Sequence, residues 1–251
     1  MLKIILLSLA VPLAVAAAAD ATPEEQLFAA IRGARADEVK RLLDATPPLA
    51  AARTAKGMSV VTVALFLQNG EVFVQPAKNA VLAEVLRHGA PVDRFEAAAV
   101  GDAARVAKEL DTDAGYLTAE SSFGWAPIHF AAFAGNVEVA KLLLDRGAGI
   151  NRRANTKFLN TPLQVALLTG QEKMAELLVA RGADVRIEQA EGFTALHEAA
   201  QIGSETVVKL LLDAGANPSA RAKDGRTPLG IARKERHEAV ARLLESRGAR
   251  G

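Results

Sequence analysis

The sequence predicts an all-α repeat protein, an elongated α-solenoid of about seven helix–turn–helix units. The prediction depends on two sequence markers that recur with one period and on a composition that suits closely packed helices. Half of the 251 residues are hydrophobic and only 4% are aromatic, while Ala, Leu and Val predominate. Small apolar side chains let helices approach each other closely, so this composition favours helices over a β-sandwich.

The first marker is a Gly-Ala pair that follows a Leu-rich run. It occurs in "LLLDRGA", "LLVARGA", "LLLDAGA" and "LLESRGA", whose glycines are Gly147, Gly182, Gly215 and Gly248, at spacings of 35, 33 and 33 residues. A glycine directly after an apolar helical stripe predicts a helix end with a left-handed residue. Each pair therefore closes the second helix of one unit.

The second marker lies upstream of each Gly-Ala pair. It is "GWAPIHFAA" (124–132), "NTPLQVAL" (160–167), "GFTALHEAA" (192–200) and "GRTPLGIAR" (225–233), in which Pro127, Pro162, Ala195 and Pro228 keep the same spacings. Thr-Pro predicts a helix start, because threonine caps the helix and proline fits its first turn. Two independent markers with one period predict four clear repeats over residues 120–251.

Three degenerate repeats are predicted over residues 22–119. "FEAAAVGDAARVAKEL" (95–110) and "GMSVVTVA" (57–64) imitate the clear units, and the latter has a longer midsection (65–80). The first unit opens with "TPEE", where Thr22 and Glu25 form a capping box around Pro23. Terminal repeats lack a neighbour on one side, so departures from the pattern are expected there.

The chain resembles the ankyrin-repeat family, whose T-P-L-H-x-A signature is matched best by "TALHEA" (194–199) and "APIHFA" (126–131). The resemblance implies that loops between repeats project as fingers and line a concave protein-binding groove with the first helices. It also implies structural roles for His129 and His197, whose imidazoles bond the local backbone, and for Pro162 and Pro228 at helix starts.

The alternative for His129 and His197 is chemistry, as a general base or a metal ligand. Gln164 and Gly230 stand at the matching positions of the other clear repeats, so no row of histidines forms. The chain has no cysteine and no G-x-S-x-G, H-E-x-x-H or nucleotide-binding fingerprint. We therefore predict no enzyme activity, no cofactor and no metal site.

Two further histidines have structural interpretations. His88 precedes a Gly-Ala pair, and we expect it to interact with carbonyl groups at a helix end. His237 stands at the start of a second helix, and we expect it to be a solvated surface residue.

The candidate binding residues are those at finger positions and just after the Ala-Ala pair, which the family's scaffold does not require. They are Phe123, Trp125, Phe133, Lys157, Phe158, Asn160, Leu168, Phe193, Ile202 and Arg226. An exposed aromatic row suggests a protein-binding site with an aromatic centre, in the groove of residues 120–205. The alternative is that some rings fold back onto the stack and only stabilise it. The finger at 151–160 is two residues longer than the others.

The first nineteen residues predict a secretory signal peptide. "MLKIILLSLAVPLAVAAAA" has a short positive region, an apolar run and an A-x-A end. Cleavage is expected after Ala19, with Ala18 and Ala21 as alternatives, and residues 20–251 form the mature solenoid. The run is short for a membrane span, so no membrane association is expected after cleavage.

Removing residues 1–19 takes away Lys3, the only charged residue among them. The 30 basic and 29 acidic residues of the whole chain then become equal in number. This balance argues against nucleic acid as a partner.

We expect a monomeric, non-catalytic protein-binding scaffold in a bacterial periplasm. The alternatives are a secreted effector that binds a host protein and a histidine-dependent enzyme.

Overall fold

A computed structural model describes residues 21–66 and 79–250. These residues form fourteen α-helices and two short 3-10 helices, with no β-strand among them. The described residues divide between Glu96 and Ala97 into two compact units, which are called here the N-terminal unit and the C-terminal unit. The all-α repeat fold predicted from the sequence is confirmed, and the helices form seven pairs, as expected.

The N-terminal unit contains two helix pairs and opens with the predicted capping box. Its helices are α1 (Pro23–Arg32), α2 (Ala36–Ala45), α3 (Val60–Phe66) and α4 (Ala80–Arg87), with a 3-10 helix at Pro47–Ala51. The Thr22 hydroxyl accepts a hydrogen bond from the Glu25 N–H, and the Glu25 carboxylate accepts one from the Thr22 N–H. Helix α1 packs on α2 and α3, and α2 packs on α4.

Five helix pairs follow along the chain. They are α5 (Glu96–Val100) with α6 (Ala103–Thr112), α7 (Pro127–Ala134) with α8 (Val137–Asp145), α9 (Pro162–Leu168) with α10 (Glu172–Ala180), α11 (Ala195–Ile202) with α12 (Glu205–Asp213), and α13 (Pro228–Lys234) with α14 (Glu238–Ser246). A second 3-10 helix spans Tyr116–Thr118. In the C-terminal unit, the first helices α7, α9, α11 and α13 pack in one row, and the second helices α6, α8, α10, α12 and α14 pack in another.

Small side chains explain how the first helices approach each other. Ala131 and Ala132 in α7 and Ala199 and Ala200 in α11 are fully buried. Helices α7, α9 and α13 begin at proline, as predicted, so Pro162 and Pro228 occupy the first helical position. The glycines of the four Gly-Ala pairs that close the clear repeats are left-handed, with φ between 84° and 95°.

A row of ion pairs joins successive second helices at the surface. It consists of Arg146–Asp111 at 2.8 Å, Arg181–Asp145 at 2.7 Å and Arg247–Asp213 at 2.8 Å. Between α10 and α12 alanine replaces both members of the ion pair, with Ala180 at the aspartate position and Ala214 at the arginine position. These pairs are partly exposed, so each contributes less than about 1 kcal/mol.

The predicted signal peptide (1–19) and most of the midsection predicted at 65–80 lie outside the described residues. Within residues 21–66 and 79–250, no helix has both the length and the apolar character needed to cross a membrane.

Candidate functional site

Four fingers project between the helix pairs of the C-terminal unit, and each is closed by one backbone hydrogen bond. The bonds run from Ser121 N–H to the Trp125 carbonyl (2.9 Å, finger 1), Ala154 to Asn160 (2.8 Å, finger 2), Gln189 to Phe193 (2.8 Å, finger 3) and Ala222 to Arg226 (2.9 Å, finger 4). Finger 2 spans seven residues where the others span five, as the longer spacing predicted.

Backbone hydrogen bonds also join each finger to the next. They run from Asn155 N–H to the Gly124 carbonyl (2.7 Å), from Ala190 to Phe158 (2.8 Å) and from Lys223 to Glu191 (3.0 Å). At Gly124 the approach is so close that a Cβ would lie 2.0 Å from the Asn155 carbonyl oxygen. Gly124 is therefore needed both for its positive φ of 75° and for this contact.

His129 links its own helix to the next finger. Its Nδ1 accepts a hydrogen bond from the Ala126 N–H (3.2 Å), and its Nε2 then donates to the Arg152 carbonyl (3.0 Å). The side chain is fully buried, and burial lowers its pKa to about 4, so the imidazole is neutral at pH 7. Both ring nitrogens are occupied by backbone groups, which is the structural role that the resemblance implied.

The matching residues of the next repeats make the same bridge with different chemistry. Gln164 accepts from the Thr161 N–H (2.9 Å) and donates to the carbonyls of Ile187 (3.0 Å) and Phe193 (3.1 Å). His197 accepts from the Thr194 N–H (3.1 Å) and donates to the Arg226 carbonyl (3.2 Å), and burial lowers its pKa. An amide and an imidazole are thus interchangeable here, since each supplies an acceptor and at least one donor.

In the N-terminal unit a buried carboxylate takes part at the corresponding place. Ser59 and Thr62 occupy the Thr and His positions of the signature, and both hydroxyls donate to Glu96, which is buried. The other oxygen of Glu96 accepts from the Asp93 N–H at 2.8 Å. These hydrogen bonds satisfy the carboxylate, so the cluster is structural.

A second row of polar bridges runs along the starts of the second helices. Asn136, Gln171 and His237 donate side-chain N–H groups to carbonyls in the first helix of the preceding repeat, those of Ala98 (3.1 Å), Phe133 (3.4 Å) and Gln201 (3.1 Å) respectively. The prediction of His237 as a solvated surface residue is therefore wrong, because its half-buried ring lies over Gly203, whose missing side chain leaves the necessary space.

His88 ends α4 in the N-terminal unit and contacts two elements. Its Nδ1 lies 2.9 Å from the Glu84 carbonyl oxygen, as expected for a residue at a helix end, and its Nε2 lies 2.9 Å from an Asp44 carboxylate oxygen. The hydrogen bond to Asp44 is the main cause that raises the pKa of His88. His88 thus stands at the position that holds arginine in the ion pairs between second helices of the C-terminal unit, so the N-terminal unit has a titratable residue there.

Four of the predicted binding residues are buried in the stack, which corrects their assignment as exposed partner contacts. They are Phe133, Asn160, Leu168 and Phe193, each no more than 5% exposed. The physical reason is visible at the aromatic ones, because finger-end rings fold back onto the helix that follows. The centre of the Phe193 ring lies 5.1 Å from that of the His197 ring, and the Arg226 guanidinium carbon lies 4.6 Å from the centre of the Phe193 ring.

Trp125 follows the same pattern and is half-buried. Its ring lies 5.5 Å from Phe130, edge to face, 5.7 Å from Phe133 and 6.2 Å from His129. Such aromatic pairs add stability beyond the area they bury. Trp125 therefore belongs to a packed cluster, which is the alternative that the sequence left open, and it is not the exposed centre of a groove.

The remaining predicted binding residues reach solvent. Lys157 is exposed, and Phe123, Phe158, Ile202 and Arg226 are half-buried. Lys157 and Phe158 lie together in finger 2, where the Lys157 ammonium lies 4.9 Å from the centre of the Phe158 ring. The structure thus disperses the predicted aromatic row and leaves finger 2 as its most accessible part.

Two residues of interest were missed by the sequence analysis. Leu159, beside Phe158, is 37% exposed with a positive φ of 57°. The sequence signal for this conformation was that finger 2 has no glycine at the place where the other three fingers have one. Glu198 is buried and accepts from Gln189 at 3.2 Å, and burial raises its pKa to about 7. A glutamate inside "TALHEAA" gave no sequence signal for burial, because helix surfaces carry glutamate routinely.

The described residues contain no group of three or more histidine, aspartate or glutamate side chains that could hold a metal ion.

Comparison with protein families matches the same helix pairs. The family model described as ankyrin repeats (3 copies) matches residues 95–189 and 182–250, which together make up more than half of the chain. The chain has no significant match among curated proteins. The extent of the family match, together with the bridges that His129 and His197 make between repeats, leads to one conclusion: the chain belongs to the ankyrin-repeat family.

Proposed function

We propose that this protein is an exported, non-catalytic scaffold that binds a protein partner through the fingers of its C-terminal unit. Ankyrin repeats generally mediate protein–protein binding and are typically non-catalytic. The observation that carries the proposal is the use of backbone atoms to join the fingers. Because these bonds use main-chain atoms only, the exposed side chains of Lys157, Glu191 and Lys223 take no part in them.

A histidine-dependent enzyme has less support. His129 and His197 use both ring nitrogens in backbone bridges and are fully buried, so a substrate would have to displace structural hydrogen bonds to reach them. Burial also lowers both pKa values, which weakens these imidazoles as general bases at neutral pH.

The cellular location is proposed from the signal-peptide pattern of residues 1–19. Export to a bacterial periplasm, with a monomeric mature protein, is the preferred alternative, and secretion as an effector is the other. Cell fractionation and sequencing of the mature N-terminus distinguish them. A mature protein that begins near Asp20 and stays in the periplasm supports the scaffold, and recovery outside the cell supports the effector.

Site-specific photocrosslinking in cells tests the binding surface. A benzoylphenylalanine is introduced at Lys157 or Lys223, in fingers 2 and 4, and at Lys141 or Lys209, on exposed positions of second helices, as matched controls. We expect the finger positions to capture the same protein and the helix positions to capture none of it. Capture at the helix positions alone, or at none of the four, would contradict the proposal.

A further inference from the structure

Leu159 combines two unfavourable features at the tip of finger 2. It is the only exposed large hydrophobic residue among the described residues, and its backbone adopts a left-handed conformation with φ of 57°. A left-handed conformation strains an L-residue that has a Cβ, and the exposed part of the leucine side chain gains nothing from burial. Neither feature benefits folding.

The other three fingers show what folding alone selects at this place. The residue that precedes the last residue of the finger is Gly124, Gly192 and Gly225, each with a positive φ between 75° and 84°. Leu159 holds the corresponding place and the same left-handed region in finger 2. Glycine satisfies the conformation without strain in three of four fingers, so leucine in the fourth needs another explanation.

The surrounding hydrogen bonds hold this strained residue in one conformation. Leu159 N–H donates to the Thr156 carbonyl at 3.2 Å, and the flanking residues carry the bond that closes finger 2 and the bond from Ala190 to Phe158. At the base of the finger, Glu120 accepts hydrogen bonds from Arg152 and Asn155, both at 2.9 Å. The tip is therefore preorganised, which lowers the entropic cost of binding.

The neighbours of Leu159 define the chemistry of the tip. Phe158 is half-buried, Lys157 lies over its ring, and Arg153 is exposed at the start of the finger. Lys157, Phe158 and Leu159 are called here the finger-2 tip. An apolar side chain beside a cationic rim fits a partner surface with the opposite arrangement, an apolar depression bordered by carboxylates.

We propose that Leu159 is a specificity-determining residue for a protein partner that presents an apolar depression bordered by Asp or Glu side chains. This inference rests on the proposed function, since it names the contact through which that function is exercised. It explains why the strain is retained, because the same substitution that would relieve the strain would remove the contact.

Two glycine substitutions separate stability from binding. Arg236 is a matched control, because it is exposed, has a positive φ of 63°, and occupies a turn between paired helices that carries left-handed Gly135, Gly170 and Gly203 in the preceding repeats. We expect Leu159→Gly and Arg236→Gly each to raise the unfolding temperature by about 2 °C. The affinity for the protein captured by the Lys157 crosslinker should fall about tenfold or more for Leu159→Gly only. Leu159→Met, which retains an apolar side chain, should bind within about threefold of the unmodified protein.

The charge of the partner is tested separately with a zero-length carbodiimide crosslinker. It should couple the Lys157 amine to a partner Asp or Glu, and Lys157→Glu should weaken binding. Unchanged affinity of Leu159→Gly, or a purified complex without a Lys157–carboxylate crosslink, would overturn this inference while leaving the scaffold function intact. Failure of photocrosslinking at every finger position would overturn both.

Discussion

The buried imidazole of His129 predicts a specific sensitivity to acid. Its neutral form is the folded form, because burial lowers its pKa to about 4 from an ordinary value of 6.5. The unfolded chain therefore binds a proton more readily than the folded chain, and the free energy of unfolding falls as the pH drops below about 6.5. Replacing His129 by glutamine removes this titration and keeps the bridge, as Gln164 shows within the same chain.

The size of the effect follows from the two pKa values. Between pH 7 and pH 5 the His129 titration lowers the free energy of unfolding by about 2 kcal/mol, since each pKa unit corresponds to about 1.4 kcal/mol. Other groups also contribute to the pH dependence: the lowered pKa of His197 acts in the same direction as that of His129, and the raised pKa of Glu198 acts in the opposite direction. These groups are present in both proteins, so the difference between them isolates His129.

Urea unfolding followed by circular dichroism at pH 7 and pH 5 measures this difference. We expect His129→Gln to lose about 2 kcal/mol less stability than the unmodified protein over this interval, with little difference between them at pH 7. Equal losses for the two proteins would refute the reasoning. So would an NMR titration that places the pKa of His129 near 6.5.

Three further changes test other parts of the structure. Gly225→Ala should cost about 1 kcal/mol for its left-handed backbone, whereas Gly124→Ala should cost at least about 2 kcal/mol more in urea unfolding, because its Cβ would also collide with the next finger. His88→Gln should destabilise the protein below pH 6.5, and the difference should shrink as the pH rises through the raised pKa of His88, since the bond to Asp44 then loses its charge; a pH-independent difference would contradict this. Arg181→Ala should lower stability by less than about 1 kcal/mol at low salt and by less still at 1 M salt, as thermal unfolding would show.

Local chemistry at single positions made much of the fold predictable. Thr161 and Pro162 start a helix because a hydroxyl and a ring fit its first turn, and Gly182 ends the next because only glycine adopts the left-handed conformation without strain. These effects act within a few residues, so the sequence displays them directly.

The fate of the finger-end side chains was harder to predict. Whether Trp125 faces solvent or Phe130 depends on the rotamer that the helix after the finger can accommodate, and the sequence does not display that choice. Likewise, the contact of His237 with the preceding helix needs the open space over Gly203, which depends on packing between repeats. Both errors concern contacts between segments, where spacing along the chain carries little information.

The hydrogen bonds between neighbouring fingers have a consequence for how this protein can change. They connect main-chain N–H and carbonyl groups only, so, apart from the glycine that the close approach requires at Gly124, their formation does not depend on which side chains stand at the tips. Mutations at Lys157, Ala190 or Lys223 can alter what is recognised while the register of the fingers persists. Binding preference can therefore drift through many single substitutions, none of which requires a compensating change in the repeats that support the fingers.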